Sequence, residues 1–136
     1  MGFLRRLLSL VRPDDKFDSY DISNEGEIVI VTATSPPAFE ETLRLIDYLG
    51  DNKIYERRLW DFSQVEFPYD LHEIREFAAH GRAKMREKNR FAVLVSDDMG
   101  FGSMRAFSVY RQEKGVTDVL VSRDRAEAIA WLSEDF

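Results

Sequence analysis

Acidic side chains follow two apolar runs of this chain and are the first candidates for chemistry. Asp61 ends the run that begins at Leu59, and Asp97 and Asp98 come soon after the run Phe91–Val95. If the two runs are parallel strands, their carboxyl ends lie at the edge of the sheet where ligands of open α/β sheets gather. Carboxylate oxygens at that edge could hold Mg²⁺. The favoured alternative is that Asp97 and Asp98 are turn and capping residues before a helix.

A glycine-containing stretch, Gly100-Phe101-Gly102-Ser103, precedes the predicted start of a helix and could offer backbone N–H groups to an anion. Arg105 would then lie in the first turn and supply a positive charge. The stretch lacks the full glycine patterns of dinucleotide and P-loop sites, so a tightly packed, capped turn is the favoured alternative. The candidates for binding a ligand or an anion are Asp61, Asp97, Asp98, Gly102, Ser103 and Arg105.

Several catalytic and metal-binding classes are excluded by residue type. The chain has no cysteine, which rules out a disulfide scaffold, a thiolate zinc site, an iron–sulfur centre and a cysteine nucleophile. His72 and His80 are eight residues apart on one predicted helix, too far along it to share a metal. No serine lies in a G-x-S-x-G nucleophile pattern. We therefore predict no catalytic residues, no cofactor and no metal.

Apolar spacing predicts a hairpin followed by a helix. Strands at 17–23 and 27–33 flank Gly26, which permits the positive φ of a tight turn. Pro37 lies where proline is tolerated, in the first turn of a helix. Phe39, Leu43, Ile46 and Leu49 define its apolar stripe, and Gly50 ends it.

Strands and helices then alternate to the end of the chain. The predicted strands cover 53–62, 91–95 and 116–121, and the predicted helices cover 69–88, 103–114 and 125–132. The run Phe91–Val95 is continuously apolar, as is typical of a central parallel strand covered on both faces. Asp124 and Glu127 form a D-x-x-E capping pattern for the last helix.

The order β-β-α-β-α-β-α-β-α predicts one α/β domain at 14–136, with a mixed, mostly parallel five-stranded sheet and four helices. A length of 136 residues, 44% of them hydrophobic, fits one packed domain. Residues 1–13 are predicted to add a short basic amphipathic helix.

Charge is divided unevenly between these two parts. Residues 1–13 hold three arginines and no acid, and residues 14–136 hold 16 basic and 25 acidic side chains. A body of that balance repels polyanions, so we do not expect nucleic-acid binding.

The N-terminal helix is too short to span a bilayer. It could lie on an anionic membrane, or cover an apolar patch of its own domain or of a dimer mate. The first alternative predicts a cytoplasmic protein with peripheral membrane contact. Its candidate contact residues are Phe3, Leu4, Arg5, Arg6, Leu7 and Leu8.

Three stretches are similar to those of a known superfamily. They are Leu59-Trp60-Asp61-Phe62-Ser63; Ala92–Asp98 followed by Gly102, Arg105 and Phe107; and Val119–Asp124 followed by Ala126-Glu127-Ala128 and Trp131-Leu132. Over residues 17–133 the chain resembles the STAS domains (sulfate transporter and anti-sigma-factor antagonist), and especially the small SpoIIAA-like proteins. The resemblance implies a SpoIIAA-like fold and a non-catalytic cytoplasmic module that acts through protein partners, as a homodimer.

This sequence differs from the anti-sigma-factor antagonists at their regulatory phosphorylation site. Anti-sigma-factor antagonists carry a phosphorylatable serine where the helix after the aspartate-ending strand begins. Here the stretch Val65–Leu71 contains no serine or threonine, and Asp70 occupies the expected N-cap. We therefore expect no phosphoserine switch.

Two functions stay open at this stage. The first is the partner-binding module, for which the contact candidates are Phe67, Tyr69, Phe101 and Tyr110, because aromatic residues anchor interfaces. The second is a domain that binds a small ligand or associates with lipid, since the wider fold resembles the lipid-binding CRAL-TRIO domains. In that case the N-terminal helix would act as a tether or lid, with a pocket behind Phe101 and Met104.

Overall fold

The computed structural model describes residues 17–113 and 118–136. Within those ranges it has the predicted order of five strands and four helices. The strands are β1 (Tyr20–Glu25), β2 (Ile28–Ala33), β3 (Arg57–Phe62), β4 (Arg90–Val95) and β5 (Val119–Ser122). The helices are α1 (Phe39–Asp51), α2 (Leu71–Lys84), α3 (Asp98–Glu113) and α4 (Arg125–Leu132).

The strands form one mixed sheet in the spatial order β1-β2-β3-β4-β5. β1 pairs antiparallel to β2, and β2, β3, β4 and β5 pair parallel to their neighbours. The predicted α/β class and mostly parallel sheet are thus confirmed. Because each parallel strand is added on the same side of the last, crossovers of one hand place α1, α2 and α3 on one face of the sheet.

The two faces of the sheet bury separate clusters. The larger cluster joins α1, α2 and α3 to inward residues of the sheet such as Val31, Trp60 and Val93. On the opposite face, α4 buries Ala128 and Leu132 against Leu59 and its neighbours on β2 and β4. Alternation along each strand sends successive side chains to opposite faces, so β2, β3 and β4 contribute to both clusters.

Local signals explain where several elements begin. Gly26 has φ +58° in the turn between β1 and β2. The Asp70 carboxylate accepts a hydrogen bond from the Glu73 N–H, and the Glu73 carboxylate accepts one from the Asp70 N–H, which completes a capping box at α2. Asp124 accepts hydrogen bonds from two backbone N–H groups at the start of α4.

Two predicted helix boundaries were wrong. α2 ends at Lys84, four residues before the predicted end, and α3 begins at Asp98, five residues before the predicted start. The physical reason for the early start is Asp97, whose carboxylate accepts a hydrogen bond from the Gly100 N–H at 2.9 Å, as an N-cap does. The glycines that suggested a loop therefore lie inside α3.

Some predictions lie outside the described residues. One is the N-terminal helix at 1–13, with its membrane-contact candidates Phe3, Leu4, Arg5, Arg6, Leu7 and Leu8. The others are the end of the predicted helix 103–114 and the start of the predicted strand 116–121, which fall on residues 114–117. In the part of the chain that is described, no helix is both long enough and apolar enough to cross a membrane.

The close approach of α3 to the loop after β3 predicts contrasting effects at two glycines. A Cβ atom at Gly100 would lie 2.4 Å from the Phe67 Cβ and 2.8 Å from a Val95 methyl, whereas one at Gly102 would meet no atom within 4 Å. Gly100→Ala should therefore lower the free energy of unfolding by about 1–3 kcal/mol through overpacking. Gly102→Ala is the control and should raise it by up to about 1 kcal/mol, the gain in helix propensity.

Urea denaturation of the two variants and the wild type measures both effects. Equal free energies of unfolding for Gly100→Ala and wild type would contradict the packing of α3 against Phe67.

Candidate functional site

Asp61 and Asp97, the carboxylates predicted to bind a ligand near the ends of β3 and β4, already accept hydrogen bonds from nearby groups of the protein. Asp61 Oδ1 accepts hydrogen bonds from the Ser63 N–H at 2.9 Å and from the Ser63 hydroxyl at 2.6 Å. Asp97 accepts from the Phe67 N–H at 3.1 Å and from the Gly100 N–H. Burial acts to raise the pKa of Asp97, but these N–H groups stabilise the carboxylate more and the pKa is lowered. Both residues therefore hold loops and a helix start in place.

The other anion-binding candidates lie along α3. Asp98 is exposed and pairs with Arg123, whose guanidinium lies 2.7 Å away. Gly102, Ser103 and Arg105 lie in the second turn or beyond, where backbone N–H groups bond within the helix. Their predicted role in binding an anion required a helix that begins near Ser103. Because α3 begins at Asp98, the backbone N–H groups at these positions are not free for an anion.

Metal-ligating side chains are not grouped in the described residues. Within 17–113 and 118–136, no three His, Asp or Glu side chains are arranged to hold a metal ion. His80 Nε2 lies 2.6 Å from Asp47 Oδ1, and His72 Nε2 lies 2.9 Å from Glu76 Oε1. The two histidines thus face different carboxylates.

The four predicted partner-contact aromatics differ in exposure. Tyr69 is buried, and Phe67 is half-buried with its ring packed edge-on to Phe62 and Tyr69. Phe101 is half-buried beneath the Arg123 guanidinium. Tyr110 is 41% exposed. The structure therefore corrects the assignment of Tyr69 to the surface: its hydroxyl donates to a buried backbone carbonyl, so the residue belongs to the core.

A cavity of about 130 Å³ lies between the sheet and the three helices α1, α2 and α3. Its walls are mainly aromatic, methionine and aliphatic side chains: Trp60, Phe62 and Val93 from the sheet, Ile74, Phe77 and Met85 from α2, and Met104 and Phe107 from α3. Met104 lines the cavity as predicted, and Phe101 does not belong to its lining. The exposed residue Arg82 is part of the wall, so the cavity reaches the surface beside the last turn of α2.

One end of the cavity carries charged and amide side chains. This cation end consists of Arg58, Arg82, Asn89, Arg111 and Asp118. Arg58 lies near the start of β3 and Asp118 directly precedes β5, so the cation end is at the amino ends of the strands. It is thus at the opposite edge of the sheet from the carboxylates that the sequence suggested.

Arg58 and Arg111 are the buried cations at this end, each with 5% of its surface exposed. Arg58 Nη1 donates to the Tyr55 carbonyl and to Asn89 Oδ1, the latter at 3.0 Å. Its Nε–H has no hydrogen-bond acceptor among the described residues. Burial lowers the pKa of Arg58 to about 10, against the opposing effect of the Asp118 carboxylate, so the side chain remains a cation at neutral pH.

Arg111 and Asp118 form a paired unit beside Arg58. Arg111 Nε donates to Asp118 Oδ1 at 3.1 Å, and Arg111 Nη2 donates to Asp118 Oδ2 at 2.6 Å. This is the two-bond geometry in which an arginine and a carboxylate match best. Both oxygens of Asp118 are therefore bonded to Arg111.

The other end of the cavity carries hydroxyl groups. Thr42 Oγ1 lies 2.8 Å from the Tyr20 hydroxyl and 2.7 Å from the Tyr69 hydroxyl, and Tyr69 donates to the Pro37 carbonyl at 3.0 Å. Desolvation by burial raises the pKa of both tyrosines. These hydroxyls stay protonated, and their buried chain joins β1, α1 and the loop before α2.

The cation end was not predicted from the sequence, because ligand sites of open α/β sheets are expected at the carboxyl ends of the strands. One signal was readable: Arg58 is in phase with Trp60 and Phe62 at a spacing of two residues. A strand whose core-facing positions read Arg-Trp-Phe places a charge inside the apolar layer. Arg111, Asn89 and Asp118 carried no comparable signal, because the packing of α2 and α3 brings them together.

Comparisons with known proteins give no identification: no protein-family model, curated protein or solved structure matches this chain.

The buried hydroxyls predict a loss of stability at alkaline pH. In the unfolded chain Tyr20 ionises near pH 10, whereas its raised folded pKa keeps it neutral, so its contribution to stability is complete below pH 10 and is lost as the pH rises. Tyr20→Phe removes this effect. Between pH 9 and pH 11 the free energy of unfolding should fall by about 1.4 kcal/mol less in the variant than in wild type.

Urea denaturation at pH 7, 9 and 11 measures this difference, with the pH 7 value correcting for the lost hydroxyl contact. Arg58 has a lowered folded pKa and contributes with the opposite sign, but equally in both proteins, so it cancels. The same fall in wild type and variant would contradict the burial of the Tyr20 hydroxyl.

Proposed function

We propose that this protein is a non-catalytic binding domain that takes a small apolar molecule into the cavity between the sheet and α1, α2 and α3. The observation that carries the proposal is the cavity of about 130 Å³ with its largely apolar wall. Protein interiors are close-packed, and voids much larger than a water molecule are few. Engineered apolar cavities of about 150 Å³ bind benzene. The volume therefore suits a ligand with one ring.

This proposal is the second of the two functions that the sequence supports. The order of strands and helices is the one expected from the resemblance to SpoIIAA-like proteins, and we keep that membership as part of the proposal. The predicted role of residues 1–13 as a membrane tether or lid also stays a prediction.

Filling the cavity should abolish binding of a simple apolar probe. Ala78 lines the cavity on α2, whereas Ala79, the next residue, is exposed. Toluene at ten times its dissociation constant should stabilise wild type by about 1.4 kcal/mol. Ala78→Leu should remove this stabilisation because the added side chain occupies the space, and Ala79→Leu should leave it unchanged.

Thermal denaturation with and without toluene measures these effects, and titration calorimetry gives the dissociation constant. No binding of toluene to wild type would contradict the proposal. Equal binding to Ala78→Leu and wild type would place the ligand elsewhere and contradict it as well.

We propose as a second candidate the partner-binding module of the STAS type, acting as a homodimer. The observation that favours it is the outer face of α3, where Met99 is 82% exposed, Val109 44% and Tyr110 41%. Together with the exposed small residues Gly102 and Ala106, these side chains lie within about 100° around the axis of α3. Exposed apolar side chains grouped on one face of a helix are typical of interaction surfaces.

A charge on this face of α3 should disrupt such a dimer. Val109→Glu places a carboxylate at the interface and should weaken self-association at least about tenfold, because charge is depleted from interface cores. Gln112→Glu adds the same charge at another exposed position of α3 and is the control. Sedimentation equilibrium measures both, and a wild-type protein that stays monomeric at millimolar concentration would contradict this candidate.

A further inference from the structure

Arg58 is a buried cation without an anionic partner in the described part of the chain. Its guanidinium contacts a carbonyl and an amide oxygen, both uncharged, and it takes part in none of the described ion pairs. Its Nε–H lacks an acceptor among these residues. Buried charges in proteins are normally paired, because the cost of removing an ion from water is high.

The carboxylate that lines this end of the cavity, Asp118, is already hydrogen-bonded to another cation. Asp118 bonds to Arg111 through both oxygens, at 3.1 and 2.6 Å, so the pair contributes little net charge to the cavity. Arg82 adds a second positive charge at the opening, where its side chain is exposed. The cation end of the cavity is therefore positive.

We infer that the ligand of this cavity is a small carboxylic acid, bound as its anion, with its carboxylate on Arg58 and a single apolar ring against Trp60 and Phe107. This inference rests on the proposed function, because it specifies the class of ligand that the same cavity takes. A carboxylate in the cavity would accept a hydrogen bond from the Arg58 guanidinium and provide the directly bonded counter-charge that this side chain lacks among the described residues.

The cavity dimensions select a short ligand. Arg58 and Phe62 are four residues apart on β3, or roughly 13 Å at the rise of a strand. The carboxylate and the ring therefore lie along β3, with the ring bounded by Trp60 from the sheet and by Met104 and Phe107 from α3. A volume of about 130 Å³ excludes a long acyl chain from the interior.

Three probes of one shape but different charge test the inference on the wild-type protein. Benzoate is the anion, toluene the neutral analogue and benzylamine, protonated at neutral pH, the cation. Titration calorimetry at pH 7 should give a dissociation constant for benzoate at least about tenfold below that for benzylamine. Equal affinities, or tighter binding of benzylamine, would overturn the inference.

Substitution of Arg58 distinguishes the contribution of its charge to binding from that of the shape of the cavity. Arg58→Met replaces the guanidinium with an unbranched, uncharged side chain and should weaken benzoate binding about 10- to 100-fold, the usual range for a hydrogen bond to a charged group. Binding of toluene should change less than about threefold. Arg86→Met removes the same charge from an exposed position outside the cavity and should affect neither probe.

The outcomes distinguish this inference from the function on which it rests. If toluene binds and benzoate is insensitive to Arg58→Met, the anion anchor is wrong and the apolar cavity function stands. If toluene does not bind to wild type, the proposed function itself fails, whatever the result with benzoate. If Arg58→Met does not fold, the comparison of benzoate with benzylamine on wild type decides the inference alone.

Discussion

The alternation of side chains along β3 is the constraint on which the interior of this protein depends. Trp60 and Phe62 must face the helices to complete the larger core, and a strand has a period of two, so Arg58 faces the same side. A shift of one residue would turn Asp61 into that core and move both aromatics to the opposite face, which α4 covers. The register of β3 against β4 thus places a cation beside Phe91 within an otherwise apolar layer.

This arrangement is poorly explained by stability alone. A buried guanidinium pays a desolvation cost, and replacement of buried charges by apolar groups is often neutral or stabilising. The Arg111–Asp118 pair and the contacts of Arg58 with Tyr55 and Asn89 hold the cation end in place. The hydroxyl chain of Tyr20, Thr42 and Tyr69 fixes the far end. The apolar cavity thus has a set of polar contacts at each end. A closer packing of α2 against the sheet would have filled it.

The elements of the fold were predictable from sequence, and the position of the site was not. Local chemistry specified the Gly26 turn and the caps at Asp70 and Asp124, because each depends on residues close in the chain. The start of α3 was missed because glycines suggested a loop, while Asp97 in fact caps the helix. The cavity depends on how far α2 lies from the sheet, which is a tertiary property. The strand pattern predicts that Arg58 faces the core, but it does not predict that no carboxylate is bonded to it.

The Nε–H resonance of Arg58 in a nitrogen-15 correlation spectrum reports directly whether a bound carboxylate contacts this side chain. Comparison with the spectrum of Arg58→Met assigns the signal, and Arg111, whose Nε–H is already bonded to Asp118, is the internal reference. Benzoate should shift the Arg58 Nε–H signal, with the dissociation constant found by calorimetry, while the Arg111 signal stays in place. Saturation by benzoate with an unchanged Arg58 signal would contradict this contact.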